Sequence, residues 1–394
     1  MRQDNRIWLL SEDFPSPDYP TFVFVEQLVF ALVDIGVPVS VIAPQSLTKA
    51  LVRGRGILPK KSKGTTAKGN KFDIFRPYTL SFGNHLPGLT PIISYLSKIG
   101  IKRILEKKYK EGDVLYGHFW SSGCYLLPFA VKHQAPLFVA CGEGDDAMEQ
   151  MASRMTKEEI DHLKQTVCGV ISVSTENKRK SIELGFVSGD KVTVLPNCVD
   201  DSIFKPYNNI ELKKTLGIRD NDFTLAFVGA FIKRKGSKVL SDAICSINNP
   251  RLKSIFVGGP LDNEDCSPTC DGIVFQGKVS HNKLPELLAC ADAFVLPTQR
   301  EGCSNAIVEA LACGIPVISS NRPFNDDILN DRNAILVDPD NEDEVADAIR
   351  LLMEDKEKYK ILKDYVLYHA CDYSLNERAK KIIDFINAQI EKVE

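Results

Sequence analysis

The sequence predicts an α/β protein made of two doubly wound parallel-sheet domains facing a cleft. Three observations predict this. Short apolar runs of strand length alternate with stretches of helical apolar spacing. The alternation stops at one polar, proline-bearing segment, "PNCVDDSIFKPYNN", and then restarts. The length, 394 residues, exceeds one ordinary core and suits two domains of about 150–200 residues each. The expected division is 1–203 and 204–371, with a C-terminal helix over 372–394 packing back on the first domain.

The elements follow in order. "RIWLLS" reads as a buried strand and "SEDFPSPDYP" as a loop broken by prolines. "TFVFVEQLVFALVDIG" has helical spacing and stops at Gly36; "PVSVIA" is the next strand. "DVLYGHF" and "APLFVA" are strands bridged by the helix "SSGCYLLPFAVKHQ". "GVISVS" and "KVTVLP" flank the helix "ENKRKSIELG". After the linker the strands are "FTLAFVG", "KSIFVGG", "GIVFQG", "AFVLPT" and "PVISS". The helices are "GSKVLSDAICSI", "LPELLACA", "NAIVEALAC" and "NEDEVADAIRLLME", and the tail is amphipathic around "AKKIIDFINAQI".

Composition restricts the class of function. The net charge of −3 gives no sign of a nucleic-acid partner. Charge is uneven: residues 49–71 hold eight basic residues (Lys49, Arg53, Arg55, Lys60, Lys61, Lys63, Lys68, Lys71) and no acid. That run reads either as a solvated loop or as a contact for anionic lipid or a phosphorylated acceptor. The patch "KIGIKRILEKKYK" reads either as a helix covering the sheet or as a second membrane-facing surface. Eleven cysteines scattered through apolar runs read as reduced thiols of a cytoplasmic protein. Cys266 and Cys270 have no second pair nearby to complete a metal site. No apolar run reaches the 18 or so residues of a membrane span, so the expectation is a cytoplasmic protein, peripheral on the inner face of the cell membrane.

Two segments carry the chemistry. In "TQREGCSNAIVEALACGIPVISS", Glu301 lies on a loop at a strand's carboxyl end, beside Gly302, which lets a ligand approach the backbone. Ser304 or Asn305 is expected to cap the next helix. The N–H groups of Cys303, Ser304, Asn305 and Ala306 are donors for hydroxyl or phosphate oxygens. Glu309 falls one turn into that helix, an odd place for a carboxylate in an apolar run. In "FVGAFIKRKGS", a strand ends at Gly229, Lys233, Arg234 and Lys235 follow, and Gly236 opens a helix. Cations at a helix N-terminus suit a diphosphate. In the first domain, His118 follows a strand and reads as structural or as a sugar contact. Glu143 and Asp145, in "CGEGDD", are candidates for the acceptor side.

"REGCSNAIVEALACGIPVISS" resembles the signature of glycosyltransferase family 4, with two glutamates separated by seven residues. "FVG…RKG" is similar to that family's phosphate-binding segment, and "PNCVDDSIFKP" to its linker. The resemblance is closest over residues 190–350 and looks like that of bacterial envelope polysaccharide enzymes. It implies a GT-B fold and transfer of a hexose, with retention of configuration, from a nucleotide-diphosphate sugar. The donor is expected to be a UDP-sugar rather than a GDP-sugar, with no metal or other cofactor. The acceptor is expected to be a glycan or a polyprenyl-linked glycan. The resemblance implies that Glu309 holds the ribose, that Lys235 with Arg234 or Lys233 neutralises the diphosphate, and that Glu301 binds sugar hydroxyls. Base contacts are expected from the backbone around "GKVSHNKL", at Val279. The pattern departs at Ala230, Cys198 and "CGEGDD", which leaves the acceptor side unspecified. Two other functions compete: a nucleotide-sugar epimerase of the same fold, and a non-catalytic nucleotide-sugar-binding subunit.

Overall fold

The computed structural model describes residues 4–16, 21–52, 56–80, 90–143, 145–261 and 264–392, except the side chains of 49, 90–97 and 145. Arg53, Arg55 and the side chains of Lys49 and Asp145 thus lie outside the described residues. The chain divides into two compact units, Met1–Leu195 with Asn376–Glu394, and Pro196–Leu375.

The first unit contains β1 (Ile7–Leu10), α1 (Val23–Asp34), β2 (Val39–Ile42), β3 (Gln45–Ser46) and α2 (Leu47–Val52). Next come β4 (Lys61–Thr65), β5 (Lys71–Phe75), β6 (Tyr78–Thr79) and α3 (Thr90–Lys108). Then follow β7 (Val114–His118), α4 (Trp120–His133), β8 (Leu137–Cys141), α5 (Asp145–Ala152), α6 (Lys157–Thr166), β9 (Val167–Ser172), α7 (Thr175–Glu183) and β10 (Val192–Val194). The main sheet runs β10-β9-β8-β7-β1-β2-β5-β4. Strands β1, β2, β7 and β8 are buried at every position. A parallel sheet covered on both faces requires such continuous apolar runs.

The basic run departs from the loop expectation. Lys61–Thr65 forms an edge strand antiparallel to Lys71–Phe75. Its side facing the protein carries Ser62 and Gly64, and a Cβ on Gly64 would lie 2.1 Å from the Phe72 ring. The strand therefore shows no apolar alternation in sequence. The opposite face leaves Lys61 and Lys63 exposed, as on other charged sheet edges.

The second unit contains α8 (Ile210–Thr215), β11 (Phe223–Val228), α9 (Ser237–Ile247), β12 (Leu252–Val257), β13 (Ile273–Gly277) and α10 (Leu284–Leu288). It continues with β14 (Ala293–Leu296), α11 (Asn305–Ala312), β15 (Val317–Ser320), β16 (Ala334–Val337), α12 (Glu342–Glu354) and α13 (Lys356–His369). Its strands are all parallel, in the order β13-β12-β11-β14-β15-β16. This is the dinucleotide-binding order, whose ligand crevice opens where the strand order reverses. Here the reversal lies between β11 and β14. In the first unit it lies between β1 and β7.

The last helix, α14 (Leu375–Glu391), joins the first unit from Asn376 on. Ala379, Ile382 and Ile386 on it are fully buried, and the Phe385 ring stands 6.3 Å from that of Phe138. Arg378 donates to the Leu195 carbonyl at 3.1 Å. Among the described residues, no helix is long and apolar enough to cross a membrane.

Candidate active site

The strand reversal of the second unit gathers the charged candidates. Past β11, Lys233–Lys235 forms a single 3-10 turn, and Gly236 at φ 75° starts α9. A Cβ at Gly236 would lie 2.2 Å from the Pro297 carbonyl oxygen, so the loops after β11 and β14 press together only with glycine there. The Gln299 N–H donates to the Arg234 carbonyl at 2.8 Å. This contact brings Lys235 Nζ onto Glu301 Oε1, where the two form an ion pair. Arg234 stands 3.4 Å from the same oxygen and donates to the Arg300 carbonyl at 2.6 Å. The Thr298 hydroxyl reaches Glu301 Oε1 at 2.9 Å. Glu301 and Lys235 keep only 12% and 17% of their side-chain exposure, so the pair is sheltered while its rim stays open. Gly229 lies alongside: a Cβ there would touch Lys235 Cδ at 3.6 Å. Lys233 is exposed, and its N–H donates to the Glu264 carboxylate.

The helix after this loop differs from expectation at its cap. Ser304 is the N-cap residue of α11, yet its side chain makes no cap bond. Asn305 is the first helical residue, and its Oδ1 accepts from Asn197 Nδ2 at 2.8 Å instead. Asn197 also donates to the Cys303 carbonyl at 3.3 Å, so the linker steadies the loop holding Gly302 and Cys303. With no side-chain cap, the first-turn N–H groups, Ala306 included, retain the positive end of the helix dipole for a ligand. One turn on, Glu309 is 6% exposed and pairs with His281 Nε2 at 2.8 Å. Burial alone would depress the His281 imidazole. The hydrogen bond and charge of Glu309 outweigh it, so its pKa stands above the ordinary value. Val279 packs against the core of the second unit, which leaves its backbone for any base contact.

His118 ends β7 at the strand reversal of the first unit. Its ring is 8% exposed, stands 4.6 Å from Phe119 and 5.5 Å from Phe24, and neither nitrogen has a partner among the described residues. Burial, then the charge of Arg378, holds its pKa down at about 3, so the imidazole is neutral at physiological pH. Phe119 (φ 77°) and Phe22 (φ 57°) both take left-handed backbone, an uncommon and costly choice for aromatic residues. Glu143 follows β8 beside Gly142, where an added Cβ would lie 3.4 Å from the Phe119 ring. It accepts from the Trp120 N–H at the start of α4 and from the Gly142 N–H at 3.0 Å. Burial pushes its carboxyl up to about 7 despite those donors. Asp145 begins α5.

Thr298, His281, Asn197 and the aromatics Phe22, Phe24 and Phe119 escaped sequence reasoning. Asn197 sat in the quoted linker and His281 in the quoted "GKVSHNKL", but nothing local to either shows its partner. Thr298 follows its strand by two residues, a position the strand-end rule covers.

Two Rossmann-like units, the second with its charged loops at the strand reversal, define an α/β fold of the GT-B class. Residues 208–366 match the model of the family described as glycosyl transferases group 1. The chain is 26% identical over 350 residues to the Bacillus subtilis glycosyltransferase TuaC, named for teichuronic acid biosynthesis, covering 87% of each. It is 30% identical over 199 residues to an Escherichia coli UDP-Gal:alpha-D-GlcNAc-diphosphoundecaprenol alpha-1,3-galactosyltransferase, covering 48% of this chain and 51% of that one. Among solved structures, Anabaena HepE in complex with UDP-glucose aligns with TM-score 0.71 at 16% identity, covering 97% of this chain and 99% of that one. Sucrose-phosphate synthase from Thermosynechococcus elongatus aligns with TM-score 0.76 at 16% identity, covering 99% and 100%. Together these comparisons support glycosyltransferase function.

Proposed function

We propose that the protein is a retaining glycosyltransferase that moves a hexose from a UDP-sugar to a glycan or lipid-linked acceptor in surface polysaccharide synthesis. One observation carries the reading: Lys235, Arg234 and Glu301 converge where the sheet of the second unit reverses, on the loop that leads into α11, which carries Glu309 one turn in. Sugar transfer builds negative charge on the departing diphosphate. Fixed cations and helix N–H groups stabilise that charge best in a sheltered site. In the structure Glu301 holds Lys235, so an incoming diphosphate competes for the ammonium and releases Glu301 to sugar hydroxyls. Glu309 then receives the ribose, with His281 orienting it. The reading needs no metal, because Lys235 and Arg234 meet the diphosphate. His118, neutral and without a partner among the described residues, is suited to accept or donate one hydrogen bond to a ligand hydroxyl. The relatives' names, one for teichuronic acid and one for a diphosphoundecaprenol acceptor, support the polysaccharide role. The UDP-glucose in HepE supports uridine.

The test is direct. A thermal-shift screen of nucleotide-sugars is expected to show stabilisation by a UDP-sugar, since a ligand of the native state alone raises the transition. Lys235→Ala should then lower turnover by on the order of 10²–10³, the loss typical of an electrostatic stabiliser. Wild-type turnover in that variant, or isomerised sugar nucleotide released without acceptor, would sink the proposal.

A further inference from the structure

A cavity of about 750 Å³ lies in the helix layer of the first unit, walled by α4, α5 and α6. Its size sits within the range of about 300–1,000 Å³ of small-molecule sites. Leu127 and Pro128 of α4, Met148 and Met151 of α5, and Met155 line it together with Trp120. Methionines are unbranched and soft, so this wall adapts to an irregular apolar chain.

The polar groups at the cavity sort by whether they are already engaged. Glu143 accepts the N–H groups of Trp120 and Gly142. Glu159 accepts the Thr156 N–H at 2.8 Å in the capping box of α6. Lys132 is paired with Glu106 at 2.7 Å. Lys98 and Arg154 also border the cavity, are exposed, and have no salt bridge among the described residues. The two carboxylates are therefore engaged by backbone N–H groups, with the charge of Lys98 also acting on Glu159, while Lys98 and Arg154 stay exposed and outside any salt bridge among the described residues.

We propose that this cavity binds the aliphatic tail of a phosphate-headed amphiphile, with the head group at Lys98 and Arg154. The apolar walls take the chain out of water, which is favourable in proportion to the area covered. The two cations supply charge-assisted hydrogen bonds to the phosphate. No residue of the second unit takes part, so the site stands or falls separately from the donor reading.

Trp120 provides the readout, because it borders the cavity and the chain holds only 2 tryptophans. The full-length protein is titrated with 12-bromododecyl phosphate below its micellar threshold, and tryptophan emission is followed. Saturable quenching is expected. Met151→Glu, which puts a charge on the apolar wall, should weaken it by about tenfold or more. Lys98→Gln with Arg154→Gln changes only exposed side chains, so it serves even where Met151→Glu does not fold. That pair should weaken the phosphate by about tenfold and leave quenching by 12-bromododecanol unchanged. Inorganic phosphate alone should not compete at equal concentration. Absence of saturable quenching, or an unchanged curve in the folded variants, overturns the proposal. So does competition by inorganic phosphate at equal concentration.

Discussion

Glu309 is a carboxylate in an apolar helix, and its partner explains how the fold tolerates it. His281 arrives from the loop after β13 and pairs with it at 2.8 Å. The folded pKa of His281 stands above its unfolded value of 6.5, so the pair adds stability that is full below that value. This stability disappears as pH rises through the raised folded value. The melting-temperature gap between wild type and His281→Gln is therefore expected to be wide at about pH 5.5 and narrow at about pH 9. An equal gap at both would remove the ionic pair. Glu143 behaves in the other direction. Its folded pKa of about 7 lies above the unfolded 4.5, so the folded protein loses stability as pH climbs between them. Glu143→Gln should gain on wild type across that window in melting scans. Glu301 and Glu309 were legible in the sequence because a glycine-flanked loop feeds an apolar helix. His281 was not, since its role depends on a contact 28 positions away.

At the scale of elements, glycine decides how closely the two charged loops approach. Gly236 combines φ 75° with an added Cβ 2.2 Å from the Pro297 carbonyl oxygen. Gly236→Ala should cost about 1–3 kcal/mol, the scale of a strained backbone residue, read as a lowered melting transition. It should also reduce turnover, because Lys235 precedes it on the same turn. The edge hairpin of β4 and β5 makes a separate prediction. Lys61 is committed to Asp73 at 3.5 Å, while Lys63, Lys68 and Lys71 are exposed; the apolar Leu51 and Val52 of α2 are also 82% and 85% exposed. We propose that this face meets an anionic membrane, where each cation contributes about 1 kcal/mol. Reversing Lys63, Lys68 and Lys71 to Glu should abolish co-sedimentation with phosphatidylserine vesicles, and unchanged co-sedimentation would refute it. The sequence exposed the charge of this run but not its strand, since a strand with Ser62 and Gly64 inward lacks the alternation that marks one.

For the whole molecule, the last helix shows how a remote segment completes a core. Ile382 and Ile386 are fully buried in the first unit, each worth about 1.5–3 kcal/mol of apolar burial. Deleting 376–394 should therefore lower or remove the melting transition of the first unit and leave that of the second in place. A single unchanged transition would show the helix to be dispensable. By itself the sequence determined the alternation of buried strands with amphipathic helices, the interruption at the polar linker "PNCVDDSIFKPYNN" and the charged loops at strand ends. These are local properties, set by side-chain periodicity and turn chemistry over a few residues. Only the tertiary structure decided which loops meet. Strand order placed β11 beside β14 and so put Lys235 on Glu301, 66 positions apart. It likewise put His118 among aromatics and raised a cavity over Trp120. Those outcomes depend on parallel pairing between distant strands, which no local pattern records.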